Sequence, residues 1–272
     1  MSKEASEIEI SLSAEKESVF RKYFGQKMTS LMEEDANSHN SEKSPEMKRI
    51  EILRHDFMRD LFFEEISTKF MKTESDFKAV YFLGPDGIEH AFWKYYEPHY
   101  FDDVSDKDVE IFGKIIENYY IFLDEAVGNL YSSIDDDTVT IIISDHGMGP
   151  WRRSLFDKLL MKVIKRYERS SGNHRRNGII IISGKNIKKS AEIKNATIFD
   201  IAPTVLHLLG FPVAKDMKGR VLTEVIDDDW LSKFPISYIK SYEGVVKKEI
   251  IPELKASDKK DLERLKALGY IK

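Results

Sequence analysis

An apolar run that ends in charged residues is the feature that most constrains this chain. Residues 138–144, TVTIIIS, are β-branched almost throughout and predict a buried strand. Asp145 and His146 follow directly, where a carboxylate and an imidazole are costly to bury unless something compensates them. Gly147 then lets the backbone bend away. We therefore predict a functional site after this strand, since open α/β sheets bind ligands at the carboxyl ends of their strands.

Two further places put polar residues beside apolar runs. Asp86 and His90 lie four residues apart after FKAVYFLG (77–84), which predicts a second buried strand. If the chain turns helically beyond Pro85, both side chains share one face and can reach a single ion. His174 lies in a short loop before the strand-like run GIIIIS. Taken singly, these residues could equally be a turn aspartate, a surface histidine and a loop histidine.

Together, the two aspartates and three histidines form a ligand set of oxygen and nitrogen atoms in a chain without cysteine. That set suits Zn²⁺, and less selectively Mn²⁺ or Fe²⁺, rather than Ca²⁺ or an iron–sulfur cluster. Two such ions about 3.5–4 Å apart would clamp the attacking and leaving oxygens of an in-line displacement at phosphorus. The predicted cofactors are accordingly two divalent metal ions, with zinc preferred.

The order of predicted elements indicates one α/β fold with a mostly parallel sheet sandwiched by helices. Residues 1–46 are polar and predict a weakly structured segment, with a loop over 27–43, and residues 47–272 predict the α/β domain. Ser44 and Pro45 predict the start of a long helix, as an N-cap and a first-turn proline. The predicted helices cover residues 44–71, 105–130, 154–168, 200–209 and 258–268.

Charge and hydropathy limit the partners and the compartment. A net charge of −5 gives no long-range attraction for nucleic acid or an anionic membrane. No segment resembles a signal peptide, and no run approaches the roughly 18 apolar residues that span a bilayer. We expect a soluble, cytoplasmic protein without a membrane span. An anionic substrate would have to be held by a local cluster of positive charge, which bound metal ions could supply.

The motifs occur in a familiar order. The sequence contains D-x-x-x-H at residues 86–90, then S-D-H-G-M, and then G-x-H-R before another strand. This order of motifs resembles that of the alkaline phosphatase superfamily. Within it, the type I phosphodiesterase and nucleotide pyrophosphatase branch is the most similar. Supporting stretches are GIEHAFWKYYEP, YYIFLDEAVGNL, ATIFDIAPTVLHLLGFPVAKDMKGRVL and the closing ERLKALGYI. The likeness runs from Phe77 to the C-terminus and implies an alkaline phosphatase-like fold.

The resemblance also implies roles for the candidate residues. Asp86, His90 and His174 match the ligands of one metal, and Asp145 and His146 match two ligands of the other. In that family the second metal also takes an aspartate from the first strand of the sheet. It further contacts a serine or threonine nucleophile, which attacks phosphorus.

The chain departs from the family pattern upstream of Phe77. No β-run there ends in an Asp-Gly turn, and Thr29, Ser30 and Ser38 lie in a polar stretch without the context of a nucleophile. We therefore identify no catalytic nucleophile in this chain. A separate N-terminal chain or segment is an expected partner that would complete the site.

Three functions follow as alternatives. The leading one is a metal-dependent phosphoric ester hydrolase that acts on small phosphate esters, with a two-metal site that is incomplete in this chain. The second is a non-catalytic metal-binding or regulatory relative. The third is a phosphomutase of the same superfamily, which the stretch FWKYYEP disfavours because it fits the phosphodiesterase branch better.

Overall fold

A computed structural model describes residues 14–37, 44–151 and 170–243. The α-helices of these residues are α1 (Ala14–Asn37), α2 (Pro45–Met71), α3 (Gly84–Tyr96), α4 (Asp106–Phe112), α5 (Ile115–Tyr131), α6 (Ile201–Leu208) and α7 (Asp228–Lys233). The strands are β1 (Val139–Ile143), β2 (Gly147–Pro150), β3 (Gly172–Arg175), β4 (Ile180–Gly184), β5 (Val213–Ala214) and β6 (Tyr238–Ile239). The predicted helices over 154–168 and 258–268 lie outside the described residues.

The long helix predicted from residue 44 is confirmed as α2. Ser44 caps it, because its hydroxyl accepts a hydrogen bond from the backbone N–H of Met47 at 3.2 Å. Pro45 occupies the first turn, where its missing N–H costs nothing. The face that contains Leu53 and Phe57 is buried in the core.

Residues 14–37 form a helix, although the polar sequence predicts a loop from residue 27. Helix α1 continues to Asn37 across a kink at Gly25, whose φ is 79°, so the loop predicted from residue 27 is wrong as far as 37. Phe20, Phe24 and Met28 explain the helix: they recur every four residues and are all buried against the rest of the core. Thr29 and Ser30 therefore lie within a helix, and Ser38 lies outside the described residues.

The helix predicted to begin after Ser105 is correct at its start and wrong in its length. Ser105 and Asp108 form the predicted capping box. The helix is then interrupted at Gly113 and Lys114, so that α4 and α5 replace one long helix. Glycine is a poor helix interior residue, so Gly113 favours a break at this point.

The large parallel sheet is not seen among the described residues. They form three two-stranded sheets, which pair β1 with β4, β2 with β3, and β5 with β6. The β2–β3 pair is antiparallel and the β5–β6 pair is parallel. Mixed helices and small sheets agree with the α/β class at this coarser level. Strand β1 forms where predicted, although its residues are half-buried or exposed rather than fully buried.

The strand predicted over 77–84 is wrong in this structure. Residues 77–83 have no regular secondary structure, and Phe77 and Tyr81 keep 58% and 70% of their surface exposed. A β-rich run becomes a strand only when a neighbour supplies backbone hydrogen bonds. No strand among the described residues pairs with this segment, so it does not form a strand despite its β propensity.

The chain divides into two compact units, each with a core of its own. The first comprises Ser11–Ile134 and Ile143–Ile179, and the second comprises Met1–Ile10, Asp135–Ile142 and Ile180–Lys272. All five candidate ligands belong to the first unit. Within the described part of the chain, no helix combines the length and apolar character needed to cross a bilayer.

Buried His207 of α6, in the second unit, predicts a pH dependence of stability. Its ring lies edge-on to Trp230, and its Nε2 has no hydrogen-bond partner among the described residues. Burial lowers the pKa of His207, so below the ordinary value of about 6.5 the unfolded chain takes up a proton more readily than the native one. Stability should therefore fall as the pH drops from about 7 to 5.

His207→Leu should reduce that fall, measured by urea unfolding at both pH values, because leucine does not titrate. His99→Leu, at an exposed position, is the matched control and should leave the pH dependence unchanged. An equal fall in the wild type and in His207→Leu would contradict the prediction.

Candidate metal centre

Helix α3 holds the first two candidate ligands. It begins at Gly84, with Pro85 in its first turn, so the predicted helical turn after Pro85 is confirmed. Asp86 and His90 consequently lie on one face, with the carboxylate Oδ1 3.4 Å from the imidazole Nε2. The four-residue spacing thus brings both groups to one point.

The paired strands β2 and β3 carry two other candidates to the same place. His146 immediately precedes β2, and His174 lies opposite Met148 in the antiparallel register. Strand β3 is in turn tied to α3, because the backbone N–H of Ser171 donates to the carbonyl of His90 at 2.6 Å. A Cβ at Gly172 would lie 2.5 Å from the carbonyl oxygen of helix α3 at position 89, so only glycine permits this approach.

The side chains converge on the Asp86 carboxylate. Its Oδ1 lies 3.0 Å from His174 Nε2 and 3.7 Å from His146 Nε2. His90 Nε2 lies 2.9 Å from His174 Nε2, and the rings of His146 and His174 stack with their centroids 3.8 Å apart. Half of the His174 side chain is exposed, so the cluster is open to small molecules from solvent.

Backbone carbonyls fix the orientation of two of the imidazoles. His90 Nδ1 lies 2.9 Å from the Gly172 carbonyl, and His146 Nδ1 lies 3.1 Å from its neighbouring Gly147 carbonyl. Each ring thus turns its Nδ1 toward a backbone acceptor and its Nε2 toward the cluster. Metal-binding histidines are commonly oriented in this way.

The residues present fit a divalent cation. Asp86, His146 and His174 each offer a ligand atom, and these atoms lie within 4.8 Å of one another. Lone pairs of imidazole and carboxylate that face each other repel unless a proton or a metal ion lies between them. One oxygen and two nitrogens, with His90 beside them, make a donor set typical of zinc.

His146, which the resemblance pairs with Asp145, also lies beside the ligands predicted for the other metal. Its ring stacks on His174 and faces Asp86. Asp145 is at the margin: its Oδ1 lies 3.7 Å from His146 Nε2, and 78% of its side chain is exposed.

Glu89 is a neighbour of the cluster that the sequence analysis missed. Its Oε1 accepts a hydrogen bond from the Tyr120 hydroxyl at 3.1 Å. Burial raises the pKa of Glu89, and the Asp86 charge adds to this, while His146 and His90 act in the opposite direction. The sequence signal for Glu89 is its spacing of three residues from Asp86, which places both side chains on one face of a helix.

Comparison with known proteins identifies the family. The model of the type I phosphodiesterase / nucleotide pyrophosphatase family matches residues 11–209. The chain belongs to this family. This confirms the resemblance to the alkaline phosphatase superfamily, and the match begins well upstream of Phe77.

One curated relative comes from the same superfamily. GPI ethanolamine phosphate transferase 2 of Kluyveromyces lactis is 25% identical over 113 residues. The alignment covers 38% of this type I phosphodiesterase family chain and 14% of the transferase, so the chain corresponds to a small part of that protein. No solved structure matches the chain.

Proposed function

We propose that this chain forms part of a metal-dependent enzyme that breaks phosphoric ester bonds in small molecules, through a two-metal site. The observation that carries the proposal is the convergence of Asp86, His146 and His174, with His90 beside them, in a chain of the type I phosphodiesterase family. We assign Asp86, His90 and His174 to one ion and Asp145 and His146 to the other, with Asp86 placed to contact both.

The chemistry follows from the donor set. Divalent ions bound there would neutralise charge on the phosphoryl oxygens and orient the attacking and leaving oxygens. The chain's own contribution is to orient the rings of His90 and His146, whose Nδ1 atoms face the carbonyls of Gly172 and Gly147 and whose Nε2 atoms face the cluster. It also keeps the cluster accessible, which a phosphate ester requires.

The nucleophile and the remaining ligand are proposed to come from additional polypeptide. The segment 77–83 supports this, because it is β-rich yet pairs with no strand among the described residues, and its exposed aromatic side chains Phe77 and Tyr81 could be covered by an added strand. With such strands in place, the segment would join the mostly parallel sheet of an alkaline phosphatase-like fold. The supply could be a segment of a longer chain or a separate chain.

Phosphoryl-group transfer to an acceptor other than water is a second candidate. It is favoured by the relative from Kluyveromyces lactis, which is a transferase of ethanolamine phosphate. Transfer and hydrolysis share the same demand for cations at phosphorus. They differ in which acceptor attacks, which the metal cluster does not determine.

The decisive experiment measures metal binding and hydrolysis on the same purified chain. Equilibrium dialysis against Zn²⁺ should give at least about one ion per chain, because Asp86, His146 and His174 supply a partial ligand set. His90→Ala should lower the affinity. Less than half an ion per chain, unchanged by His90→Ala, would contradict the proposal.

Hydrolysis of nitrophenyl phosphate by the chain alone should stay near background with Zn²⁺ or Mn²⁺. Activity should appear when a segment is added that contains a strand ending in aspartate and a helix led by serine or threonine. Metal binding without activity under either condition would favour the non-catalytic metal-binding alternative. Brisk turnover by the chain alone would show that it contains the nucleophile.

A further inference from the structure

A buried carboxylate of α2 lies at the beginning of the helix that holds Asp86. Asp60 is fully buried, and its Oδ2 accepts hydrogen bonds from the backbone N–H of Gly84 and from the Tyr119 hydroxyl, both at 2.9 Å. The partners lie 24 and 59 residues away in sequence. Burying a carboxylate is unfavourable unless its contacts compensate for lost hydration, so this arrangement calls for an explanation.

The contact of Asp60 and Tyr119 with residue 84 is so close that only glycine fits at this position. A Cβ added to Gly84 would lie 1.8 Å from the Tyr119 hydroxyl oxygen and 2.4 Å from Asp60 Oδ2. Backbone strain is not the reason, since Gly84 lacks a positive φ. Glycine is required because two side chains occupy the space that a side chain at residue 84 would fill.

A second acidic residue of α2 touches the same turn. A Cβ at Gly87 would lie 2.2 Å from Asp56 Oδ2. Arg59 accompanies both carboxylates, with its Nη1 2.9 Å from Asp56 Oδ1 and its Nε 3.5 Å from Asp60 Oδ1. Helix α2 therefore holds the first turn of α3 on both sides of Asp86.

Helix α3 needs this external support. Its N-cap residue is Leu83, which provides no side-chain hydrogen bond to the free N–H groups of the first turn. Asp60 supplies the missing acceptor. Asp86 lies two residues beyond the supported N–H, so a shift of this turn would move the carboxylate directly.

We propose that Asp60, aided by the Tyr119 hydroxyl, is a positioning residue that aligns Asp86 with the histidines of the metal centre. The inference rests on the proposed function, because it assumes that this cluster binds metal. It adds a residue outside the cluster, on a different helix, which is linked to Asp86 through the backbone of α3.

The test compares Asp60→Ala with the conservative Asp60→Asn. Asparagine keeps an oxygen that can accept from both Gly84 and Tyr119, whereas alanine leaves the Gly84 N–H without a partner. Zn²⁺ affinity, measured by chelator competition, should fall by about 10–100-fold in Asp60→Ala, as for residues that orient ligands. The visible absorption of bound Co²⁺ should change as well. Asp60→Asn should retain both properties.

Phe20→Ala is the control for general destabilisation, because Phe20 is a buried residue of α1 in the same core. It should lower stability without altering the Co²⁺ spectrum. If Phe20→Ala weakens Zn²⁺ binding as much as Asp60→Ala does, the positioning role is refuted. Should Asp60→Ala fail to fold, Tyr119→Phe decides: a weaker affinity is expected, and unchanged affinity with an unchanged spectrum overturns the proposal.

Hydrogen exchange in the metal-free chain separates this inference from the proposed function. Amides over residues 84–90 should exchange about tenfold faster in Asp60→Ala than in the wild type, since a buried hydrogen bond to a charged group is lost. Unchanged exchange would overturn the support of α3 by Asp60. A wild-type chain that binds no Zn²⁺, yet shows this difference in exchange, would refute the proposed function and leave the support of α3 intact.

Discussion

Asp86→Ala should lower the Zn²⁺ affinity of the chain by more than about 100-fold, whereas Asp145→Ala should lower it by less than about tenfold, on the scale of metal-site substitutions. The asymmetry comes from geometry. Asp86 Oδ1 lies within 3.0–3.7 Å of the Nε2 atoms of three histidines. Asp145 is 78% exposed, and its Oδ1 lies 3.7 Å from Nε2 of His146. Chelator competition with the purified variants measures both affinities.

Two comparisons make this expectation specific. His99→Ala removes an exposed imidazole that contacts the Tyr100 ring, and it should leave Zn²⁺ affinity unchanged. Circular dichroism should show that the Asp86→Ala chain keeps its helices, because that side chain is part of the cluster rather than the core. Equal losses in Asp86→Ala and Asp145→Ala would mean that the two aspartates contribute alike, contrary to the observed arrangement.

Among the proposed substitutions, Phe57→Ala should destabilise the chain most, lowering the free energy of unfolding by about 3–5 kcal/mol. Phe57 is fully buried at the centre of an aromatic cluster. Its ring centroid lies 4.7 Å from that of Phe122 and 5.1 Å from that of Phe24, so alanine would leave a cavity and remove several ring contacts. Urea unfolding monitored by circular dichroism measures the change.

Phe77→Ala is the matched control, because it makes the same chemical change at a ring that is 58% exposed. It should alter the free energy of unfolding of the isolated chain by no more than about 0.5 kcal/mol. A similar loss in both variants would show that the segment 77–83 is packed in solution. Such a result would contradict its exposed placement and weaken the argument for an added strand.

Local signals in the sequence were sufficient for several elements. Ser44 with Pro45, and Ser105 with Asp108, mark helix starts that the structure reproduces, because capping depends on residues within one turn. The α3 pair Asp86 and His90 was predicted to share a face for the same reason. The β-branched run before Asp145 became β1, since its propensity and its partner strand agree.

Other elements depended on contacts that local patterns do not encode. Helix α1 was predicted as polar loop beyond residue 27, but burial of Met28 with Phe20 and Phe24 extends it to Asn37. The run 77–83 has the composition of a strand and lacks a paired neighbour among the described residues. Burial in the core extends the helix in the first case. The lack of a paired strand among the described residues leaves the second segment without a strand. Tertiary contacts thus outweigh local propensity in both.

The sequence by itself determined the family and the residues available as ligands, because the motifs around Asp86, Asp145 and His174 are short and ordered along the chain. Only the tertiary structure decided how those residues are grouped. His174 meets Asp86 across 88 residues of sequence, and the support of Gly84 by Asp60 spans 24 residues. Neither contact has a local signature, since each depends on how separate helices and strands pack together.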